Sequence, residues 1–229
     1  MEVIKAVLLE PVGCLAEFAP DAFNRAATDL FGARPDAEAS GSQAYWRLMG
    51  LMDERPLSAA DLARLEALEL DAVEHAELYE DALPALAELK SLGVGTVLVS
   101  SLSRAAVTRF IERHALADLL AGVVTRDEAG GVMGKVLHAV VTKAQLVPAH
   151  VMALADTAEG LAVAKQLGLN AILMINDYDE GRALAERNPA GGIVSLAELA
   201  DALRLIEQRA GIRTTARSPH APFELFDPT

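Results

Sequence analysis

The sequence predicts an α/β protein built on a doubly wound parallel sheet (Rossmann-like), with an all-helical unit inserted after the first strand. Three observations predict it. Short, branched apolar runs alternate with amphipathic stretches from Leu83 onward, and strands separated by helices of about a dozen residues require parallel crossovers. One further apolar run, residues 4–9, stands apart near the start of the chain. Between the two, residues 16–90 carry helical periodicity and no strand signal, which marks an insertion.

The first run holds Ile4, Val7, Leu8 and Leu9 and is bounded by Pro11 and Gly13. Its length and branching fit a strand buried on both faces. The loop from Glu10 to Cys14 then falls at a carboxyl edge, where open α/β sheets bind ligands. Pro20-Asp21 opens a helix with Phe23, Ala26, Ala27, Leu30 and Phe31 on one face, closed at Gly32. A second helix surrounds Tyr45, Trp46, Leu48, Met49 and Met52, with Trp46 and Met49 expected in the core of the inserted unit. A third starts at Ser58, where Ser-x-x-Asp61 precedes Leu62, Leu65 and Leu68, and a fourth is expected over residues 70–79. Hinges are expected near residues 15–20 and 81–84. Residues 16–89 are accordingly assigned to a cap, and residues 1–15 and 90–211 to the core.

The alternating part begins with Leu86, Leu89 and Leu92 on a helix stopped by Gly93, followed by a strand over 94–99 that ends at Ser100-Ser101. Ser103 caps the next helix, with Val107, Phe110 and Ile111, and residues 122–125 form a third strand. A loop with Gly130, Gly131 and Gly134 leads to Lys135 and a helix over 136–146. The strand 151–155 runs into Asp156-Thr157 and a helix over 159–167, stopped by Gly168. A fifth strand covers 171–175, and a last helix covers 196–209 before Gly211. Residues 212–229 carry three prolines and no periodicity, yet include Phe223, Leu225 and Phe226. This tail is expected to be irregular. It either frays, as termini do unless tied down, or docks on its own core or on a second copy as a homo-oligomer contact.

Composition bounds the function. The 229 residues hold 52% hydrophobic side chains, which excludes disorder and suits one sizeable domain with a small insertion. No apolar run reaches the roughly 18 to 20 residues that span a membrane, and no basic region precedes the first one, so neither a membrane span nor a signal peptide is expected. Cys14 is the single cysteine, read as core-facing; with no internal disulfide available, a cytoplasmic location is expected. A formal charge of −13 argues against nucleic acid or an anionic membrane surface as a partner. The five histidines, His75, His114, His138, His150 and His220, show no metal-ligand spacing.

The segment Leu9-Glu-Pro-Val-Gly-Cys14 resembles the first motif of the haloacid dehalogenase superfamily, an apolar run followed by Asp-x-Asp-Gly-Thr/Val. Aligned on Gly13, Glu10 stands at the first Asp, Val12 at the second and Cys14 at the Thr. Leu83-Pro-Ala-Leu-Ala-Glu-Leu-Lys-Ser-Leu-Gly93 is similar to the helix before the family's second strand. Asp156-Thr157 with Gly160, Ala164, Lys165 and Gly168 is similar to its fourth-motif region. The resemblance covers about residues 3–205, and its order of parts matches the subgroup with a helical cap, which includes phosphoglycolate phosphatase and β-phosphoglucomutase. In that family the first Asp attacks phosphorus and the second protonates the leaving group. A Ser or Thr ending the second strand binds the phosphoryl group, a Lys steadies its charge, and acids after the fourth strand hold Mg²⁺. Carried over, the resemblance implies phosphate binding by Ser100, Ser101 and Lys135, and a Mg²⁺ site made of Asp156 with Glu10 as a weak second ligand.

Both carboxylates of the family's chemistry are changed. Phosphoryl transfer rests on positioning and charge stabilisation, and a misplacement of about 1 Å costs on the order of 100-fold. Glu10 is longer by one methylene, and the isopropyl group of Val12 donates no proton, a role worth about 10²- to 10⁴-fold. The expectation is therefore a catalytically impaired protein that binds a phosphorylated small molecule or another anion. A weakly active Mg²⁺-dependent phosphohydrolase and a structural or regulatory oligomer component are the alternatives. Bland roles stand beside each site residue: Glu10 as a solvated strand-end carboxylate, Ser100 and Ser101 as helix caps, Lys135 as a surface lysine.

Overall fold

The computed structural model describes residues 4–209; the tail expected over 212–229, the stop at Gly211 and His220 lie outside them. A parallel sheet of six strands, in the order β5-β4-β1-β6-β7-β8, forms the centre. Its strands are β1 (Ala6–Leu9), β4 (Gly95–Ser100), β5 (Gly122–Thr125), β6 (Val151–Ala155), β7 (Asn170–Met174) and β8 (Gly191–Ile193). The fully apolar β1 takes a central place, with Leu8 opposite Val97 of β4 on one side and Ala153 of β6 on the other, because a strand without polar side chains loses nothing by being covered on both faces.

Helices α5 (Ala82–Ser91), α6 (Arg104–Arg113), α7 (Arg126–Ala129), α8 (Gly134–Lys143), α9 (Ala158–Gln166), α10 (Tyr178–Ala185) and α11 (Leu199–Arg209) connect and cover the strands. Alternate strand residues point to opposite faces. Leu8, Val97, Val99, Ala153 and Leu173 pack with Val136, Val140 and Leu161 of α8 and α9. Leu9, Leu98, Met152 and Leu154 face the other way, towards Leu86 and Leu203. This second cluster continues through Leu15 and Phe18 to Phe23, Tyr45, Leu48 and Met49, so sheet and insertion share one apolar core.

The insertion consists of α2 (Pro20–Phe31), α3 (Gly41–Glu54) and α4 (Ala59–Glu74). Ser58 caps α4 by accepting from the Asp61 N–H, at the expected position. Three features differ from the sequence reading. Residues 59–74 form one unbroken helix instead of two. Both crossings between insertion and core are tied by a short antiparallel pair, β2 (Ala16–Glu17) with β3 (Glu77–Leu78); two residues are too few to show a period-two pattern. Finally, α5 packs on β4 and α11, so the helix over 82–91 sits with the core, although the residues up to 89 had been assigned to the cap. The sixth strand, β8, and the helix α10 carried no sequence signal strong enough to be anticipated. Among the described residues no helix is long and apolar enough to cross a membrane.

Candidate functional site

The strand order brings the carboxyl ends of β1, β4 and β6 side by side, so Glu10, Ser100 and Asp156 meet at one edge, the place where α/β sheets of this kind bind ligands. The turn after β1 (Pro11–Cys14, α1) is irregular: Val12 is extended and Gly13 has φ +76°. Glycine is required there. A Cβ on Gly13 would lie 1.9 Å from Asp156 Oδ2, and the left-handed backbone disfavours any other residue.

Glu10 is buried. Its Oε1 accepts hydrogen bonds from the Ser100 hydroxyl at 2.5 Å and the Tyr45 hydroxyl at 3.0 Å. Burial pushes its pKa from 4.5 to about 8; the two hydrogen bonds oppose the shift and the nearby Asp156 charge adds to it. A solvated strand-end carboxylate is thus ruled out, and near neutral pH the group is mostly protonated. Asp156 is also buried, and desolvation raises it to about 6 against a hydrogen bond from Ser42. Asp156 Oδ2 accepts from the Ser42 hydroxyl. Its Oδ1 has no hydrogen-bond partner; the Trp46 indole N–H, likewise unpaired, lies close enough to favour the charged form.

The serines at the end of β4 do not cap the following helix, which Ser103 caps by accepting from the Ala106 N–H. The Ser100 hydroxyl is occupied by Glu10 and by the Leu102 N–H at 3.2 Å. Ser101 donates its N–H to the Tyr45 hydroxyl at 3.0 Å, while its side chain accepts from the Met133 N–H at 2.8 Å. Lys135 is not among the partners of Glu10 or Asp156. Its Nζ pairs with Asp53 of α3 at 2.7 Å, both side chains about half exposed, the surface-lysine alternative. Cys14 is buried, as expected, and its thiol is held well above its ordinary pKa by desolvation.

The residues missed in the sequence come from the insertion. Ser42 and Tyr45 lie three apart on α3 and therefore on one helical face; in the sequence Tyr45 shows only as part of an apolar stripe. A second missed contact is the ion pair between Glu69 of α4 and Arg126 of α7, with side chains 0% and 7% exposed. Glu69 also accepts from the Ser103 N–H at 3.1 Å, and Arg126 donates to the Ser101 carbonyl at 3.1 Å. Glu69 shares the buried face of α4 with Leu65, Ala72 and Val73, but helical periodicity does not say which distant residue pairs with it.

Beside Asp156 lies a cavity of about 140 Å³ whose lining includes Glu17, Ser42, Asp156, Asp177 and Glu180. Four carboxylates give this cavity a negative lining. Of the two residues carried over as Mg²⁺ ligands, Asp156 keeps a buried Oδ1 without a hydrogen-bond partner, the kind of oxygen that Mg²⁺ takes from one or two carboxylates. Glu10 Oε1, in contrast, is engaged by Ser100 and Tyr45. These are the two residues that would hold the ion.

The family model described as haloacid dehalogenase-like hydrolase matches residues 7–168. No curated protein sequence matches the chain significantly. Similar solved structures include a haloacid dehalogenase-like family hydrolase from Streptococcus pneumoniae, at 15% identity and TM-score 0.64, covering 88% of this chain and 99% of that one. A HAD phosphatase from Thermococcus onnurineus aligns at 20% identity and TM-score 0.60, covering 87% and 97%. A predicted phosphoglycolate phosphatase from Haemophilus somnus aligns at 14% identity and TM-score 0.65, covering 88% and 98%. At these identities the structures speak for the fold alone.

Proposed function

The chain belongs to the haloacid dehalogenase-like hydrolase family, and from that premise we propose that it is a non-hydrolytic member that acts by binding, with a phosphorylated small molecule or similar anion as the ligand class at its carboxyl edge. The observation that carries this reading is Glu10. A buried carboxyl with a pKa of about 8, holding hydrogen bonds from Ser100 and Tyr45, is neutral near pH 7 and is a poor nucleophile for phosphorus. Val12, fully buried in the apolar core, supplies no proton to a leaving group. The Ser100 hydroxyl, which donates to Glu10, and the Ser101 N–H, which donates to Tyr45, are the groups at the end of β4 that an anion would have to take over.

The test is release of inorganic phosphate from a panel of phosphomonoesters with Mg²⁺ present. Turnover at or below the blank is expected for the wild-type chain, and turnover of about 1 s⁻¹ or more, an ordinary enzyme rate, refutes the reading. The variant Glu10→Asp/Val12→Asp restores both acids and reports whether their loss is the only obstacle.

A further inference from the structure

The deepest contact between insertion and core is made by one face of α3. Gly41 at its first turn lies against the Phe18 carbonyl so closely that a Cβ would stand 1.7 Å from that oxygen. A capping box fixes the start of the helix, with Ser40 accepting from the Gln43 N–H and Gln43 accepting in return. This seating carries Ser42 to Asp156 and Tyr45 to Glu10. The Tyr45 ring is fully buried, 5.3 Å from Phe23 and 5.2 Å from Trp46 between centroids, and its hydroxyl makes two bonds: it accepts from the Ser101 N–H and donates to Glu10 Oε1, each at 3.0 Å.

We propose that α3 is a built-in occupant of the site, with the Tyr45 hydroxyl standing where a ligand oxygen would meet the Ser101 N–H. The contact is autoinhibitory: a ligand gains that donor only when α3 withdraws. The inference rests on the binding reading above and names its regulation. The donor is a backbone N–H, which depends little on side-chain identity, and it is satisfied at present by a residue from the other half of the molecule. The buried pair of Glu69 and Arg126, bonded to Ser103 and Ser101, fastens the insertion beside it. A protein whose competent state is a minor one binds with an affinity reduced by the fraction open.

Inorganic phosphate is the probe, and Trp46, the only tryptophan, is the reporter beside Tyr45. Removing the occupant with Tyr45→Ala is expected to give a saturable fluorescence change at phosphate concentrations about tenfold or more below any seen for the wild-type chain. Adding Ser100→Ala should abolish the gain. Equal titrations for wild type and a folded Tyr45→Ala, including no response in either, overturn the proposal. Tyr45→Phe keeps the ring and removes only the hydroxyl, so it supplies a second arm if the alanine variant does not fold. Hydrogen exchange at the Ser101 amide should then accelerate about tenfold or more while the strand amides of β4 keep their rates; an unchanged Ser101 rate overturns the proposal. Phosphate release from esters is a separate readout. Turnover by the wild-type chain would defeat the non-hydrolytic reading, whereas occupancy by Tyr45 is judged by the Ser101 amide.

Discussion

At Glu10 one methylene and a buried setting reverse the usual behaviour of a carboxylate. Its pKa is about 8 in the fold against 4.5 for the free side chain, so the folded state binds the proton more tightly than the unfolded one. Stability from this group is therefore greatest below pH 4.5 and falls as pH rises towards 8, at up to about 1.4 kcal/mol per pH unit. Asp156 contributes the same sign between 3.8 and about 6. Glu10→Gln keeps the acceptor for Ser100 and Tyr45 and removes the ionisation. Urea unfolding should show the variant about 4 kcal/mol more stable than wild type near pH 8, with the difference shrinking towards acid pH; an equal pH profile for both proteins would mean that Glu10 is ionised in the fold. Gly13→Ala should do the opposite. The strained backbone and the 1.9 Å approach to Asp156 together predict a loss of about 2–4 kcal/mol.

The elements differ in how their positions are fixed. α2 shows both ends in its sequence: Pro20 at the start and Gly32 in the left-handed conformation at the end, because these signals act within one turn. α5 has an ordinary amphipathic pattern, and only its packing on β4 and α11 places it with the sheet and not with the insertion. The same holds for α4, where Glu69 falls on the buried face with Leu65, Ala72 and Val73 but its partner Arg126 comes from a distant segment. Burial pushes the Glu69 carboxyl up and the Arg126 charge opposes it. Glu69→Ala should strand Arg126 in a buried setting and cost about 3–5 kcal/mol. Glu69→Leu/Arg126→Met should recover most of that stability, since a buried ion pair exchanged for apolar groups of similar volume is often neutral. Chemical unfolding of the three proteins checks both statements, and a double variant as unstable as the single one would show that the pair contributes more than it costs to bury.

For the whole molecule, the cluster that runs from Leu9 and Leu98 through Phe18 to Phe23, Tyr45 and Leu48 ties the insertion to the sheet. An insertion that shares its core with the sheet should not melt alone. Trp46 fluorescence, which reports on α3, and far-ultraviolet circular dichroism, which reports on all helices, are expected to give coincident urea transitions. Separation of the two curves would show that the insertion opens as its own unit.

By itself the sequence determined the parallel α/β architecture, the helical insertion, the turn at Gly13 and the placing of Ser100 and Asp156 at strand ends, because strand branching, helix caps and glycine stops are local signals that each act over a few residues. It also placed Glu10 and Val12 where the resemblance expects the first motif's two acids. Tertiary structure alone decided that Glu10 is buried with its pKa pushed up, that Lys135 pairs with Asp53 instead of the site, and that Tyr45 and Ser42 are the partners of the carboxyl edge. Those outcomes depend on desolvation and on which helical face meets the sheet. Both arise between residues far apart in the chain, where the linear pattern carries no signal.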